Sequence, residues 1–523
     1  MSDYSDVDKA QDLHILHSMG YAQELERRMS SFSNFAISFS IICILSGGIN
    51  SLAQATSGAG GASIGIGWPL GCAISGVFAL GMAQISSAYP TAGGLYHWGS
   101  ILGNRFTGWL TAWFNLIGLV TVLGAINVGT WGFFAGSLAG WFGMNVDTTT
   151  AGGFANQILF VAVITAIQAL INHFGIKLTA KLTDLSGYLI FATAIALTIV
   201  CLAGAKSYDV SRLWTFANYS GTPAGDAPVW PQSGDIWYIF ALGLLLPIYT
   251  ITGYDASAHT SEETIKASES VPKGMVSSVW WASFFGYIML IAFLLAIPDM
   301  NEAAAQGWNV FFWTLNSVAH PVVANIIYLA IFIAQFICGL ATVTSVSRMI
   351  FAFSRDGGLP FSRALASVSP RFRTPSIAIW TGSVASVLFV WGASLVTIGG
   401  ASAYTIVVSC TVIFLFLSFC IPIALGIKAI GTPKWPVMGP WNMGITAYKI
   451  VGCLAILAMA VIFIIGVQPP NEWALYITVG FLVLTAAVWL LFEQRRFKGP
   501  PIGDEVAKRQ AEIAAAEKAV GEA

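Results

Sequence analysis

Two stretches place glycine beside hydroxylated or ionisable residues inside long apolar runs. They are Ile44-Leu45-Ser46-Gly47-Gly48-Ile49-Asn50 and Tyr249-Thr250-Ile251-Thr252-Gly253-Tyr254-Asp255. Glycine costs a helix about 1 kcal/mol relative to alanine, so each run invites unwinding. Unwound backbone at membrane depth must line a cavity or be buried in protein. Amides freed at the start of the next half-helix attract an anion. Carbonyls freed at the end of the preceding half-helix attract a cation. A site with both poles suits a zwitterion. Asp255, two residues after Gly253, adds an ionisable group where such groups are costly and point to function. It can take a proton or face an amine. It can also cap the helix that follows, a position that favours Asp.

These stretches need a membrane around them, and the composition supplies one. Of 523 residues, 56% are hydrophobic and 9% charged, against about 25% charged in soluble chains. The net charge of −1 gives no basic footprint for nucleic acid. Apolar runs long enough to cross a bilayer as helices recur from Phe35 to Leu491. Spans are expected near 34–54, 68–88, 106–134, 155–174, 182–204, 235–264, 274–297, 322–353, 375–392, 403–427, 446–467 and 473–491. The fold class is therefore an all-α polytopic membrane protein of about 12 transmembrane helices. Spans 6 and 8 are long for a bilayer and are expected to protrude or break. The two glycine stretches fall in spans 1 and 6, five spans apart, as matched breaks in two inverted halves require.

Charge gives the orientation. With the N-terminus inside and the spans alternating, 22 of the 24 Lys and Arg residues lie inside, and only Lys206 and Arg212 lie outside. The positive-inside rule predicts such a bias, so both termini are expected in the cytoplasm of a multi-pass plasma or inner membrane protein. The expected organisation is a cytoplasmic tail over 1–33, a first half over 34–204, an extracellular loop over 205–234, a second half over 235–427, two further spans within 428–493, and a tail over 494–523. No cleavable signal peptide is visible, so span 1 is expected to be an uncleaved anchor. The last tail reads as a solvated helix without chemistry of its own. The seven cysteines fall in apolar runs without a C-x-x-C pair and read as packing residues.

Four stretches together carry a resemblance. Gly253-Tyr254-Asp255-Ala256-Ser257-Ala258-His259 with Ser261-Glu262-Glu263-Thr264 resembles the sixth-helix signature of the amino acid–polyamine–organocation (APC) superfamily. Tyr89-Pro90-Thr91-Ala92-Gly93-Gly94-Leu95-Tyr96-His97-Trp98 resembles its loop after the second helix. Ser347-Arg348 and Ser354-Arg355-Asp356-Gly357-Gly358-Leu359-Pro360 resemble the end of its eighth helix. Gly20-Tyr21, Glu24-Leu25 and Arg28 resemble the stretch before the first helix in the amino acid/choline transporter branch, which includes GABA and amino acid permeases. The resemblance runs over about residues 18–495. It implies a LeuT-like 5+5 inverted repeat plus two C-terminal helices. It also implies that the amides of Ser46, Gly47 and Gly48 receive a substrate carboxylate. Tyr249 and Thr252 then offer carbonyls to the amine, and Tyr249 takes the aromatic gate position. Many relatives read Gly-Ser-Gly at the first break where this chain reads Ser-Gly-Gly.

The family pattern also bears on the coupling ion; no other cofactor is implied. Sodium-coupled relatives hold the ion between helices 1 and 8, and Ala341, Thr344 and Ser345 match that pattern, with the carbonyls of Ile42 and Leu45 completing the set. Thr344 and Ser345 can instead bond the carbonyls one turn back. Some proton-coupled relatives place a lysine of helix 5 in that space; the interior of span 5, Tyr188 to Val200, has none. Sodium, a proton through Asp255, and exchange all stay open. Elsewhere, Asp184 is expected to pair with Lys177 or Lys181. His259, Glu262 and Glu263 are expected in a network or gate beyond the break, and Arg348, Arg355 and Asp356 at the inner end of span 8.

The residues point away from other classes. There is no H-E-x-x-H, no paired intramembrane carboxylate and no nucleophile elbow, so a membrane enzyme has no catalytic set. No filter or charge ring marks a channel, and no P-loop domain marks a pump. The expectation is a secondary transporter, in contact with the lipid bilayer, for amino acids: GABA or a neutral zwitterion. Choline or a polyamine is the alternative substrate. No feature sets an oligomeric state.

Overall fold

The computed structural model describes residues 5–144, 146, 151–224, 227–395, 397–398, 401–501 and 503–521. Residues 225 and 226 of the expected 205–234 loop, and the extreme ends of both tails, lie outside the described residues.

In lipid every backbone donor and acceptor must be satisfied within the segment, which selects helices. Eleven helices among the described residues are long and apolar enough to span: Ser31–Thr56 (span 1), Ala62–Ala88 (2), Arg105–Ser137 (3), Gly153–His173 (4), Ile176–Gly204 (5), Ala267–Ala296 (7), Pro321–Arg355 (8), Ser376–Ser394 (9), Cys410–Ala429 (10), Ile445–Gly466 (11) and Trp473–Arg496 (12). Span 6 is the twelfth and opens with the shorter apolar stretch Ile236–Thr250. Of the two spans expected to be over-long, span 6 breaks. Span 8 runs unbroken for 35 residues, about 52 Å at the α-helical rise, and so projects beyond a core of about 30 Å.

Packing displays the repeat. Span 2 packs on span 7 and span 3 on span 8, each element on its own counterpart. Span 1 on span 7 is matched by span 6 on span 2, span 5 on span 8 by span 10 on span 3, and span 4 on span 8 by span 9 on span 3. Two inverted halves of five spans, followed by spans 11 and 12, account for this pattern. A buried amide ladder ties spans 3, 4 and 8. Asn127 donates to Gln168 Oε1 at 2.9 Å, Gln168 to the Phe336 carbonyl at 3.0 Å, and Asn172 to the Leu340 carbonyl at 3.0 Å. Buried polar groups persist when paired in this way.

Two expectations change. Asp184 does not meet Lys177 or Lys181. It faces span 1, where the Ser33 hydroxyl donates to it at 3.0 Å, while both lysines stay exposed. The C-terminal tail is not simply solvated. Its helices Asp504–Lys508 and Gln510–Val520 fold back on the end of the molecule that holds the N-terminal helix Asp6–Ser18. Glu517 Oε1 lies 2.6 Å from His17 Nε2 and accepts the Gln23 amide at 3.0 Å. Ile513 is buried, and Arg509 Nη1 comes within 3.7 Å of Asp356. These contacts, with Pro501 and Val506 packed beside Gly20, dock an otherwise polar, alanine-rich tail. The N-terminal helix in turn caps span 7, since the Asp12 carboxylate accepts the Lys266 and Ala267 amides at 2.9 and 3.2 Å.

Candidate functional site

Span 1 leaves the helix after Ile42. Cys43 turns left-handed at φ 34°, and the helix resumes at Gly47. The Ser46 and Gly47 amides both point at the Cys43 carbonyl, at 2.8 and 3.3 Å. The Gly48 and Ile49 amides meet no acceptor among the described residues. These are the orphan donors that every helix start presents, here at the middle of the molecule.

Span 6 breaks in the opposite sense. Its first part ends at Thr250, and helix returns at Ala256. The carbonyls of Thr250, Ile251 and Thr252 take no donor among the described residues, while the Tyr249 carbonyl takes the Thr252 hydroxyl at 2.6 Å. Gly253 carries φ +89°, and a Cβ there would lie 2.2 Å from Ile41 Cγ2. The break therefore needs glycine both for its backbone and for the close approach of span 1. Gly47 marks a second close approach, since its Cβ would lie 2.5 Å from Thr250 Oγ1.

Between the breaks lies a cavity of about 80 Å³, room for several waters and far below drug-sized pockets. Ile42, Ser46, Gly47, Tyr249, Thr252, Gly253 and Asp255, all singled out in the sequence, line it. Gly48 does not; a Cβ on it would face Met289 and Trp68 at 3.5 and 3.7 Å. Leu45 is buried behind the break. Asn50, Thr250, Cys338 and an apolar wall of Leu119, Val122 and Ile126 from span 3 join the lining. Sequence reasoning missed the span 3 wall because only the fold brings span 3 to the breaks. Asn50 was legible, two residues beyond the glycine pair.

Asp255 stands at the N-cap position of the second part of span 6, but its side chain makes no cap bond. It is 1% exposed. Its Oδ2 accepts Asn115 Nδ2 from span 3 at 3.1 Å and lies 3.3 Å from His259 Nε2. Of the expected sodium ligands on span 8, Thr344 donates its hydroxyl to Asn172 Oδ1 at 2.7 Å and also lies 3.3 Å from the Leu340 carbonyl one turn back. The Ser345 hydroxyl is buried without a partner, and Ala341 packs against Ile37 and Ile41 of span 1. No group of three or more His, Cys, Asp or Glu that could hold a metal occurs among the described residues.

The pattern of the Amino acid permease family matches residues 29–488. The chain belongs to this family, within the APC superfamily. The permease is 32% identical over 520 residues to "Amino-acid permease BAT1" of Arabidopsis thaliana, covering 93% of this chain and 95% of that one. It is 27% identical over 399 residues to the "GABA-specific permease" of Saccharomyces cerevisiae, covering 74% and 67%. Its fold is similar to that of MhsT, solved in complex with L-phenylalanine, with TM-score 0.53 at 16% identity over 84% of this chain and 98% of that one. The permease is thus an amino acid transporter of the LeuT fold and not an enzyme.

Beyond the break, the end of the permease that carries both tails is closed by ion pairs. Arg348 grips Glu263 at 2.6 and 2.9 Å, and Arg355 grips Glu262 at 2.9 and 3.0 Å. Glu262 also accepts the Ala92 amide at 3.0 Å. Arg355 lies 3.8 Å over the Tyr21 ring, and Asp356 accepts the Tyr21 and Tyr96 hydroxyls at 2.7 and 3.0 Å. Buried beside this cluster, His97 has its pKa pushed down to about 3, chiefly by desolvation and further by the Arg355 charge.

Proposed function

We propose that the permease carries GABA or another neutral zwitterionic amino acid across a cell membrane by alternating access. One observation carries the reading: Ser46 and Gly47, at the start of the second half of span 1, and the free carbonyls of Thr250 and Thr252, at the break of span 6, flank one small cavity, with the free Gly48 and Ile49 amides directly behind Gly47. The amide pole suits a carboxylate and the carbonyl pole an ammonium. Asp255 is the sole acidic residue among the described lining residues, which favours a single amine over a polyamine. The apolar wall from span 3 takes the carbon skeleton. The name of the yeast relative supports GABA as the first candidate. The basic bias supports cytoplasmic tails, and on that reading the ion-paired end is the inner gate.

A proton on Asp255 is the coupling ion this geometry favours. The second reading is sodium held by Ile42, Leu45, Ala341, Thr344 and Ser345, and the partnerless Ser345 hydroxyl favours it. Uptake of labelled GABA into proteoliposomes, under a proton or a sodium gradient, tests both, with neutral amino acids, choline and putrescine as competitors. Saturable uptake blocked by zwitterions supports the substrate class, and the gradient required names the ion. Flux of choline or putrescine without GABA would overturn the substrate.

A further inference from the structure

The contact between Asp255 and His259 has a consequence for proton bookkeeping. His259 is fully buried on the second part of span 6, one turn beyond Asp255. Its Nδ1 lies 3.3 Å from the Ala92 carbonyl oxygen. A carbonyl only accepts, so Nδ1 carries the hydrogen, and in the neutral ring Nε2 is the bare acceptor. That Nε2 faces Asp255 Oδ2 at 3.3 Å, without the alignment of a hydrogen bond. With Asp255 ionised and His259 neutral, two lone pairs would oppose each other between two buried side chains. One proton, on either atom, removes the repulsion and leaves the pair with no net charge.

Among the described residues none replaces that proton; the hydroxyl of the adjacent Tyr254 is buried and makes no bond to Asp255. From span 3, Asn115 offers a neutral amide that also donates to Ser418 of span 10 at 3.3 Å. From span 1, Asn34 and Ser38 bond the Ser257 backbone and hydroxyl. From span 8 comes Arg348, committed to Glu263; from the loop after span 2 comes the Ala92 carbonyl, whose residue's amide is bonded to Glu262, itself committed to Arg355. The charged side chains of span 7 at this end, Glu269 and Lys273, are exposed and paired with each other at 3.2 Å. Asp255 lines the substrate cavity, while His259 reaches the loop that seals the inner gate.

We propose that Asp255 and His259 hold one transported proton between them, taken up at Asp255 from the cavity and passed to His259 Nε2 for release toward the tail side. In the transfer the Asp255 O–H bond breaks and an N–H bond forms at Nε2, leaving carboxylate and imidazolium. Loss of the Nδ1 proton to water then returns neutral imidazole, and the remaining Nε2 hydrogen faces Asp255 until ring tautomerisation resets it. His259 is a positioning and relay residue and makes no substrate contact. The proposal rests on the amino acid transport reading above and adds the ion and its carrier.

The test uses the full chain in liposomes. Two assays are run with whichever of GABA, alanine or leucine the wild type exchanges: counterflow without a gradient, and accumulation under an inward proton gradient. His259→Asn keeps a donor near the Nδ1 position and lacks the Nε2 base. It is expected to exchange within about twofold of wild type, to lose gradient-driven accumulation, and to flatten the pH profile. Accumulation by the variant equal to wild type would overturn the proposal. So would wild-type accumulation driven by sodium and not by protons. Failure of the wild type to exchange any zwitterion would instead sink the transport reading. If His259→Asn does not fold, Asn115→Leu serves. It removes an amide that favours the carboxylate, so the pH midpoint of accumulation should move upward; an unmoved midpoint contradicts the proposal.

Discussion

Arg348 and Glu263 join through two hydrogen bonds of 2.6 and 2.9 Å with both side chains wholly shielded from solvent. Removing one partner of such a pair strands a buried charge, at a cost of about 3–5 kcal/mol. Glu263→Ala or Arg348→Ala should therefore abolish a stable monodisperse protein. Replacing both by apolar residues of similar volume, Arg348→Met with Glu263→Leu, should restore much of the melting temperature. Equal loss in the single and double variants would show that the pair matters for more than its charge balance.

Gly253 has no room for a side chain. Gly253→Ala puts a Cβ against Ile41 in a left-handed backbone that alanine disfavours, with a strain of about 1–3 kcal/mol. Uptake should fall at least tenfold. Gly48→Ala meets only ordinary contacts at Met289 and Trp68 and should retain most activity. Initial uptake rates of the two variants, corrected for folded protein, decide this. Equal rates would contradict the assignment of the closer approach to Gly253.

His97 gives the permease a sign for its acid response. Its ordinary value is 6.5 and burial with Arg355 lowers it to about 3. The unfolded chain binds this proton first as pH falls, so stability is untouched above about 6.5 and is lost below it. By pH 5 the loss from this group is about 2 kcal/mol. Melting curves at pH 7 and pH 5 should show a steeper loss in the wild type than in His97→Gln. Parallel losses would remove His97 from the account.

The docked tail meets the ion-paired end through partly exposed charges, so its weight on the proposed gate is modest. Arg509 and Glu517 together are worth about 0.5–1 kcal/mol, and Arg509→Ala with Glu517→Ala should speed counterflow about two- to fivefold. An unchanged rate would make the tail a passenger.

Much of this was legible in the residues, and the reason is local. Gly47 and Gly253 sit where the chain must bend, and glycine announces bending through its own backbone. The spans announce themselves by length and hydropathy, and Asp255 by its cost in lipid. Asp255's partners were hidden because Asn115 and His259 reach it through packing; only His259, one turn away, shares its segment. For the same reason sequence could not tell that Gly47 faces the cavity and Gly48 faces Trp68. Asp184 misled because Lys177 and Lys181 are its neighbours in sequence, whereas Ser33 is its partner in space. The tail misled because its average composition is polar, while its contacts come from a few residues, Ile513, Arg509 and Glu517 with Pro501 and Val506 beside Gly20.

The two-pole site is tested most directly by competition against labelled GABA uptake in proteoliposomes. A site with an amide pole and a carbonyl pole needs both charges on its ligand. GABA and neutral amino acids should block uptake fully, whereas butyrate, which lacks the amine, and butylamine, which lacks the carboxylate, should each compete at least about a hundredfold more weakly. Butylamine competing as well as GABA would contradict the account.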